Sequence, residues 1–366
     1  MNIIIRFIFY LWIGSAVSLA FGNELAAETL VYCGTSDASA AVAIGHDMFI
    51  VADDENNVLR VYKTTRDGLP LLSYDMTEFL DIEQKNPEAD IEGATIIGQR
   101  IYWISSHGRN KDGKTRPNRY RFFATTVKTK NGNVTIEPVG KPYKTLIPDL
   151  IKSENMLYLK LDRATRFDAD ELQKKERRKL APKEKGLNIE GLCASADGKT
   201  IYIGLRNPRH VDKIKHRAKA IIVPLMNPDA VLEKNRIPIF SDPILLDLDS
   251  LGIRSMEYSN FHKAYFIIAG TFNDSLQYAI YRWSGKKESP PALVRQISQS
   301  NFSPEAMITF TNSNKLFVIS DDGSLLIKVD GAWECVKGEF RKDGTCQNKY
   351  LIDSEKKTFR GIWLTP

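Results

Sequence analysis

Histidine and cysteine are scarce in this chain, five and four residues out of 366. None falls at Cys/His metal spacing, which argues against a structural zinc site. No glycine-rich phosphate loop or dinucleotide fingerprint occurs. Asp53-Asp54-Glu55-Asn56-Asn57 and Asp321-Asp322-Gly323 are acidic turns that lack the full ligand spacing of an EF-hand. Ser105 and Ser106 do not sit in a Gly-x-Ser-x-Gly elbow, so nothing marks a serine nucleophile. Low-complexity, collagen-like and coiled-coil stretches are missing, which leaves an ordinary globular composition. Beyond residue 20 no apolar run is long enough to span a bilayer.

The first 27 residues read as a signal peptide: a short basic start, the apolar run Phe7 to Ala20, and small residues for cleavage at Ser18 and Ala20 or at Ala26-Ala27. The expected protein is exported, periplasmic or extracellular, with no membrane span after cleavage. Export permits disulfides. Cys335 and Cys346 flank a polar loop and are expected to staple a hairpin, Cys193 reads as a buried small hydrophobe, and Cys33 is open to either role. The net charge of +6 is unevenly spread. Basic residues crowd Arg100 to Lys130 and Arg206 to Lys219, each run following the second strand of a repeat. Such runs are either solvated loops or a surface that attracts anions.

One template recurs along the chain: a Glu opens an apolar run, and a polar break precedes a second. The copies are Asp90-Ile91-Glu92-Gly93-Ala94, Asn188-Ile189-Glu190-Gly191-Leu192, Ser255-Met256-Glu257-Tyr258 and Ser303-Pro304-Glu305-Ala306-Met307, with Ala41 standing for Glu in a copy near the N-terminus. Repetition of this kind predicts an all-β fold, a single β-propeller with five recognisable blades near residues 29–80, 90–150, 186–248, 254–297 and 303–366. A sixth blade would need the segment 138–186 or the C-terminus to conceal it. Asn131-Gly132 marks a hairpin, and Phe359 to Leu364 is a closing strand that can pair with the first blade and seal the ring. Residues 148–185 break the rhythm as a charged helical insertion, with a helix from Asp168 to Leu180, and form a surface excursion or a lid.

In a propeller the start of the first strand and the end of the second lie on one face. Glu92, Glu190, Glu257 and Glu305 should therefore converge on one channel mouth, together with Asp53-Asp54-Glu55, His107, Arg109, Arg206-Asn207, Asn273-Asp274 and Asp321-Asp322. Carboxylates so close cannot all stay charged and unpaired. A hard cation, Ca²⁺ or Mg²⁺, would suit oxygen-only ligands, and Arg60, Arg206 and Arg254 offer neutralisation without a metal. A third reading is architectural, each Glu accepting backbone N–H groups of the next blade. His107, followed by Gly108, is expected to be exposed and is the candidate general acid/base; Arg109 and Arg206 are candidates to hold an anion.

The two E-G segments, Trp103 to Asn110 and Gly204-Leu205-Arg206-Asn207-Pro208, resemble an exported bacterial family, the domain of unknown function 3616, from about residue 30 to the C-terminus. The E-G repeat is also similar, more distantly, to the esterase-like phytase propellers. The resemblance implies a propeller whose acidic mouth binds calcium and acts on phosphoesters. The functional expectation is thus a divalent-metal-assisted hydrolase of phosphoesters or other anionic substrates, and the alternative a non-catalytic propeller that binds a ligand or a protein partner. Nucleic acid is disfavoured by export and by the lack of an aromatic-interleaved recognition motif.

Overall fold

The computed structural model describes residues 29–130, 133–212, 217–271, 277–297 and 301–366. The expected signal peptide, the Asn131-Gly132 turn and Asn273-Asp274 lie outside the described residues. The fold is a five-bladed β-propeller. Its antiparallel sheets begin, from the axis outward, with Ala38–Ile44, Ile91–Ile97, Asn188–Ala194, Gly252–Ser259 and Pro304–Thr309. Each innermost strand neighbours the next around a closed circuit.

Sequence dictates this arrangement through strands that are apolar on both faces. Met48–Asp53 and Ala264–Gly270, second strands of the first and fourth blades, are buried at every position. A strand without a polar face must be covered on both sides, which a radial stack of blades provides. Five apolar cores accordingly fill the five gaps between blades. Ile50, Leu59 and Val61 meet Trp103 and Phe123 in the gap between blades one and two. Phe49 and Tyr62 meet Phe317 and Phe359 where blade five returns to blade one.

Closure differs from the expected boundaries. Thr29–Cys33 is not part of the first blade but the outermost strand of the fifth, antiparallel to Thr358–Leu364, which in turn pairs with Leu316–Ser320. The N-terminal strand thus completes the last sheet. Cys335 and Cys346 form the expected disulfide. It staples an excursion between the second and third strands of blade five, where Leu326–Lys328 pairs with Thr345–Gln347. Cys193 is buried and Cys33 half-buried, both as thiols.

The insertion between blades two and three is helical but broken. In place of one helix from Asp168 to Leu180, a 3-10 turn Phe167–Glu171 and a short helix Lys174–Arg178 flank Leu172 and Gln173, which are extended. The physical reason lies partly outside the segment. Arg177 is held by the Asp112 carbonyl of a neighbouring loop and donates to the Leu172 carbonyl, so a peptide group that a continuous helix would satisfy internally is bonded to a side chain instead.

Candidate functional site

Every innermost strand loses register near its start, four of them once and Asn188–Ala194 twice, first at Asn188/Ile189. The break common to all five falls between Ala38 and Ala40, Ile91 and Gly93, Ile189 and Gly191, Ile253 and Ser255, and Pro304 and Ala306. A bulge leaves one residue without a cross-strand partner and re-aims its side chain. The five residues so released are Ser39, Glu92, Glu190, Arg254 and Glu305, and all line one cavity of about 1710 Å³ at the channel mouth. Two expected equivalences are corrected. The fourth blade contributes Arg254, not Glu257, and the first contributes Ser39, not Ala41. Glu257 lies three residues deeper, opposite Phe266, and does not line the cavity. The signal was present: Ile253-Arg254-Ser255-Met256 aligns with Ile189-Glu190-Gly191-Leu192 once the apolar residues, rather than the Glu, fix the register.

The arginine converts an acidic ring into an ion-pair network. Arg254 Nη1 lies 3.1 Å from Glu190 Oε2, and its Nη2 bonds Glu305. Arg206 Nη1 reaches Glu190 Oε1 at 2.7 Å, and Asn188 donates to the same oxygen at 2.6 Å. Burial pushes the Glu305 carboxyl up to about 8 even against the pull of Arg254. Of the three arginines expected to neutralise the ring, Arg206 and Arg254 do so, whereas Arg60 bonds Asn56 and the Val58 carbonyl instead. Among the described residues no ring Glu accepts a backbone N–H of the next blade, as the architectural reading requires; side chains such as the Ser39 hydroxyl, which donates to the Ile91 carbonyl of blade two, tie the blades instead.

Glu92 stands apart from that network. Its carboxylate, that of Asp90 and that of Asp54 each place an oxygen within 4.8 Å of the other two. Asp90 is paired with Arg119 at 3.0 Å and accepts from the Ser106 hydroxyl. Neither Asp54 nor Glu92 has an ion-pair partner among the described residues, and Asp54 Oδ1 is buried without a hydrogen bond. Burial, then the neighbouring Glu92, Asp37 and Asp321, holds the Asp54 carboxyl well above the usual range. Burial and Glu190 do the same to Glu92. Three oxygen donors of this kind form a potential acidic metal-binding triad. Asp90 had not been singled out on sequence. It stands two residues before the bulge, where Asp37, Asn188 and Ser303 stand in other blades, and all four line the cavity.

Residues 37–315 match the family model described as protein of unknown function DUF3616. The chain belongs to this family. The matched stretch contains all five bulge residues of the mouth. No curated protein matches the chain. Among solved structures, this DUF3616 propeller is similar to the β-propeller domain of Cps50 (Swd1) from Myceliophteria thermophila, at 9% identity and a TM-score of 0.33 over 93% of this chain and 100% of that one. It is also similar to a luciferin-regenerating enzyme, at 8% and 0.38 over 92% and 95%. A third likeness is to a putative oxidoreductase (glucose dehydrogenase) from Thermus thermophilus, at 10% and 0.40 over 92% and 100%. Likeness at this level concerns the fold alone.

Two expected site residues of the DUF3616 propeller lie elsewhere than the mouth surface. His107 is buried and does not line the cavity. Its Nδ1 donates to the Ser105 carbonyl at 2.8 Å, and its ring meets Tyr120 edge-on at 5.5 Å. Burial lowers its pKa to about 4, so the ring is neutral at physiological pH and unsuited to proton transfer at the mouth. The loop after Trp103-Ile104-Ser105-Ser106 folds inward because His107 N bonds the Arg119 carbonyl. Arg109 touches the cavity but is only 2% exposed. Its guanidinium is consumed by Asp170 and by the carbonyls of Gly113, Thr165 and Arg166, which makes it a latch on the insertion rather than an anion ligand.

Glu257 has a different consequence. Burial, eased by the Thr309 hydroxyl, pushes its carboxyl from 4.5 up to about 8. The folded state therefore holds a proton that the unfolded chain releases above its own lower pKa. The stability this gives is complete in acid, falls as pH rises toward 8 and is lost above it. Glu257→Gln should flatten that fall and stabilise the protein relative to the parent at pH 9 by about 2–4 kcal/mol, with little difference at pH 4.5. Urea midpoints at the two pH values check it; parallel pH profiles would contradict it.

Proposed function

We propose that the channel mouth binds a divalent cation, Ca²⁺ or Mg²⁺, on Asp54, Asp90 and Glu92, and that cation and basic rim together hold an anionic ligand, with phosphoester hydrolysis as the reaction. The observation that carries this reading is the pair of unpaired carboxylates, Asp54 and Glu92, from different blades, beside Asp90 within 4.8 Å. Arginines neutralise Glu190 and Glu305 but not these two. All-oxygen donors suit a hard cation, whose chemistry there would be to polarise a ligand oxygen and stabilise developing negative charge. Asp37 replaces His107 as the candidate proton donor. It lines the cavity, accepts from the Ser36 hydroxyl, and is pushed up to about 8 by burial and by Asp321. The disulfide supports an exported protein, where Ca²⁺ is abundant.

Thermal melts in chelator and in millimolar Ca²⁺ or Mg²⁺ test the reading. A cation that binds only the folded state at a hundred times its Kd adds about 2.7 kcal/mol, a rise of several degrees for a domain of this size. The parent should show that rise and Asp54→Asn should not. Glu190→Gln should keep the response, because Glu190 belongs to the arginine network. A parent indifferent to both cations would overturn the proposal. Turnover of a phosphoester panel with cation, compared with chelator, then separates hydrolysis from binding without reaction.

A further inference from the structure

We infer that the ligand of this mouth is a chain polyanion with repeated phosphate groups, one on the acidic side of the cavity and the next on Lys111, Lys175 and Arg178. The inference rests on the cation reading of the mouth and extends it to the class of ligand.

Size is the first argument. A cavity of about 1710 Å³ exceeds the few hundred to about 1,000 Å³ typical of single small-molecule sites. Its walls also differ in sign. Asp37, Asp54, Glu92 and Asp321 come from the blades, whereas the opposing wall is built by the insertion, where residues 171–185 carry seven Lys or Arg against three Glu, together with Lys111 of the loop after Ser106. Some of that charge is already matched: Lys174 lies 3.2 Å from Asp112, and Lys179 2.7 Å from Glu176. Lys111, Lys175 and Arg178 line the same cavity and have no carboxylate within ion-pair distance among the described residues.

The basic wall is also fixed in place. Arg109 and Arg177, both buried, bond carbonyls across the join between the insertion and the loop after Ser106. At Gly113 the two segments touch backbone to backbone, so that a Cβ there would lie 2.0 Å from the Arg177 carbonyl oxygen. Cations held on a rigid wall cannot relax their repulsion by swinging away as a unit, and a cleft concentrates their field. A single phosphate would meet one wall. A chain of phosphates meets both, and the second contact forms at high effective concentration.

The test is calorimetric titration of the whole protein with orthophosphate and with tripolyphosphate, in Mg²⁺ at physiological salt. Tripolyphosphate should bind about tenfold tighter or better. The double substitution Lys175→Glu and Arg178→Glu, on exposed side chains, should erase that preference while keeping the Mg²⁺-induced rise in Tm. Asp54→Asn should weaken both ligands. Equal affinity for the two phosphates in the parent, or a preference that survives the double substitution, would overturn the polyanion assignment and leave the cation reading intact. A chain-length preference that persists in chelator, with no thermal response to Mg²⁺, would overturn the cation reading instead.

Discussion

Replacing Arg254 with methionine should destabilise the protein by about 3–5 kcal/mol above pH 9, where Glu305 is ionised, the range for removing one partner of a buried ion pair. The arginine side chain is 5% exposed and sits between Glu190, at 3.1 Å, and Glu305. Methionine fills most of the volume and supplies no charge, so packing loss is not the main effect. Glu190 would retain Arg206, whereas Glu305 would have no cation among its described partners. The deficit should depend on pH in a definite direction. The Glu305 carboxyl, already pushed up to about 8 in the parent, rises further without the arginine. Its charged form is then paid for by the fold, and the variant loses stability as pH rises through that range. At pH 5 Glu305 is protonated in both proteins and the gap should narrow. Adding Glu190→Gln should recover part of the loss, because the buried charges then balance better. Urea unfolding at pH 5 and pH 9.5 decides the matter, because the two proteins diverge only above the parent value of about 8: a deficit that is the same at both would mean that packing, not charge, is what Arg254 supplies.

Arg109→Ala should open the insertion while leaving the blades folded. The guanidinium bonds the carbonyls of Gly113, Thr165 and Arg166 and pairs with Asp170, which is half exposed. Alanine strands three carbonyls, each worth about 1–3 kcal/mol if left buried and unmet. Water can reach them only if the segment lifts. The expected outcome is a fall of about 3 kcal/mol in the free energy of local opening, which corresponds to a roughly hundredfold increase in trypsin cleavage after Lys174 to Lys183 when opening and reclosing are fast relative to cleavage. Arg109→Lys keeps the charge but offers fewer, unforked donors and should lie between. Because the same segment carries Lys175 and Arg178, the loosened protein should also lose its preference for tripolyphosphate. Unchanged cleavage would show that the apolar contacts of the insertion suffice to hold it.

Much of this was legible in the chain itself. Apolar runs at regular spacing, with Gly, Asp and Asn turns between them, specify strands and hairpins locally, and their fivefold recurrence specifies a propeller. The same local logic identified Glu92, Glu190 and Glu305 as mouth residues, and Cys335 with Cys346 as a staple around one loop. What the spacing of the Glu residues misdirects is which residue each bulge releases; the apolar register around Ile253 and Ile189 carries that signal, and strand pairing decides it. A one-residue bulge changes which side chain faces the channel, and that choice depends on how the inner strand pairs with the second, not on the identity of the nearest Glu. Glu257 was therefore read into the ring in place of Arg254, and the sign of charge at that position was inverted. The partners of Arg254 and Arg109 were equally hidden, since Glu190 lies 64 residues from the one and Thr165 lies 56 residues from the other. His107 reads as an exposed loop residue until the chain around Tyr120 folds over it. Strand content is set by neighbours along the sequence; register, burial and ion pairing are set by neighbours in space, and in a closed ring those come from other blades.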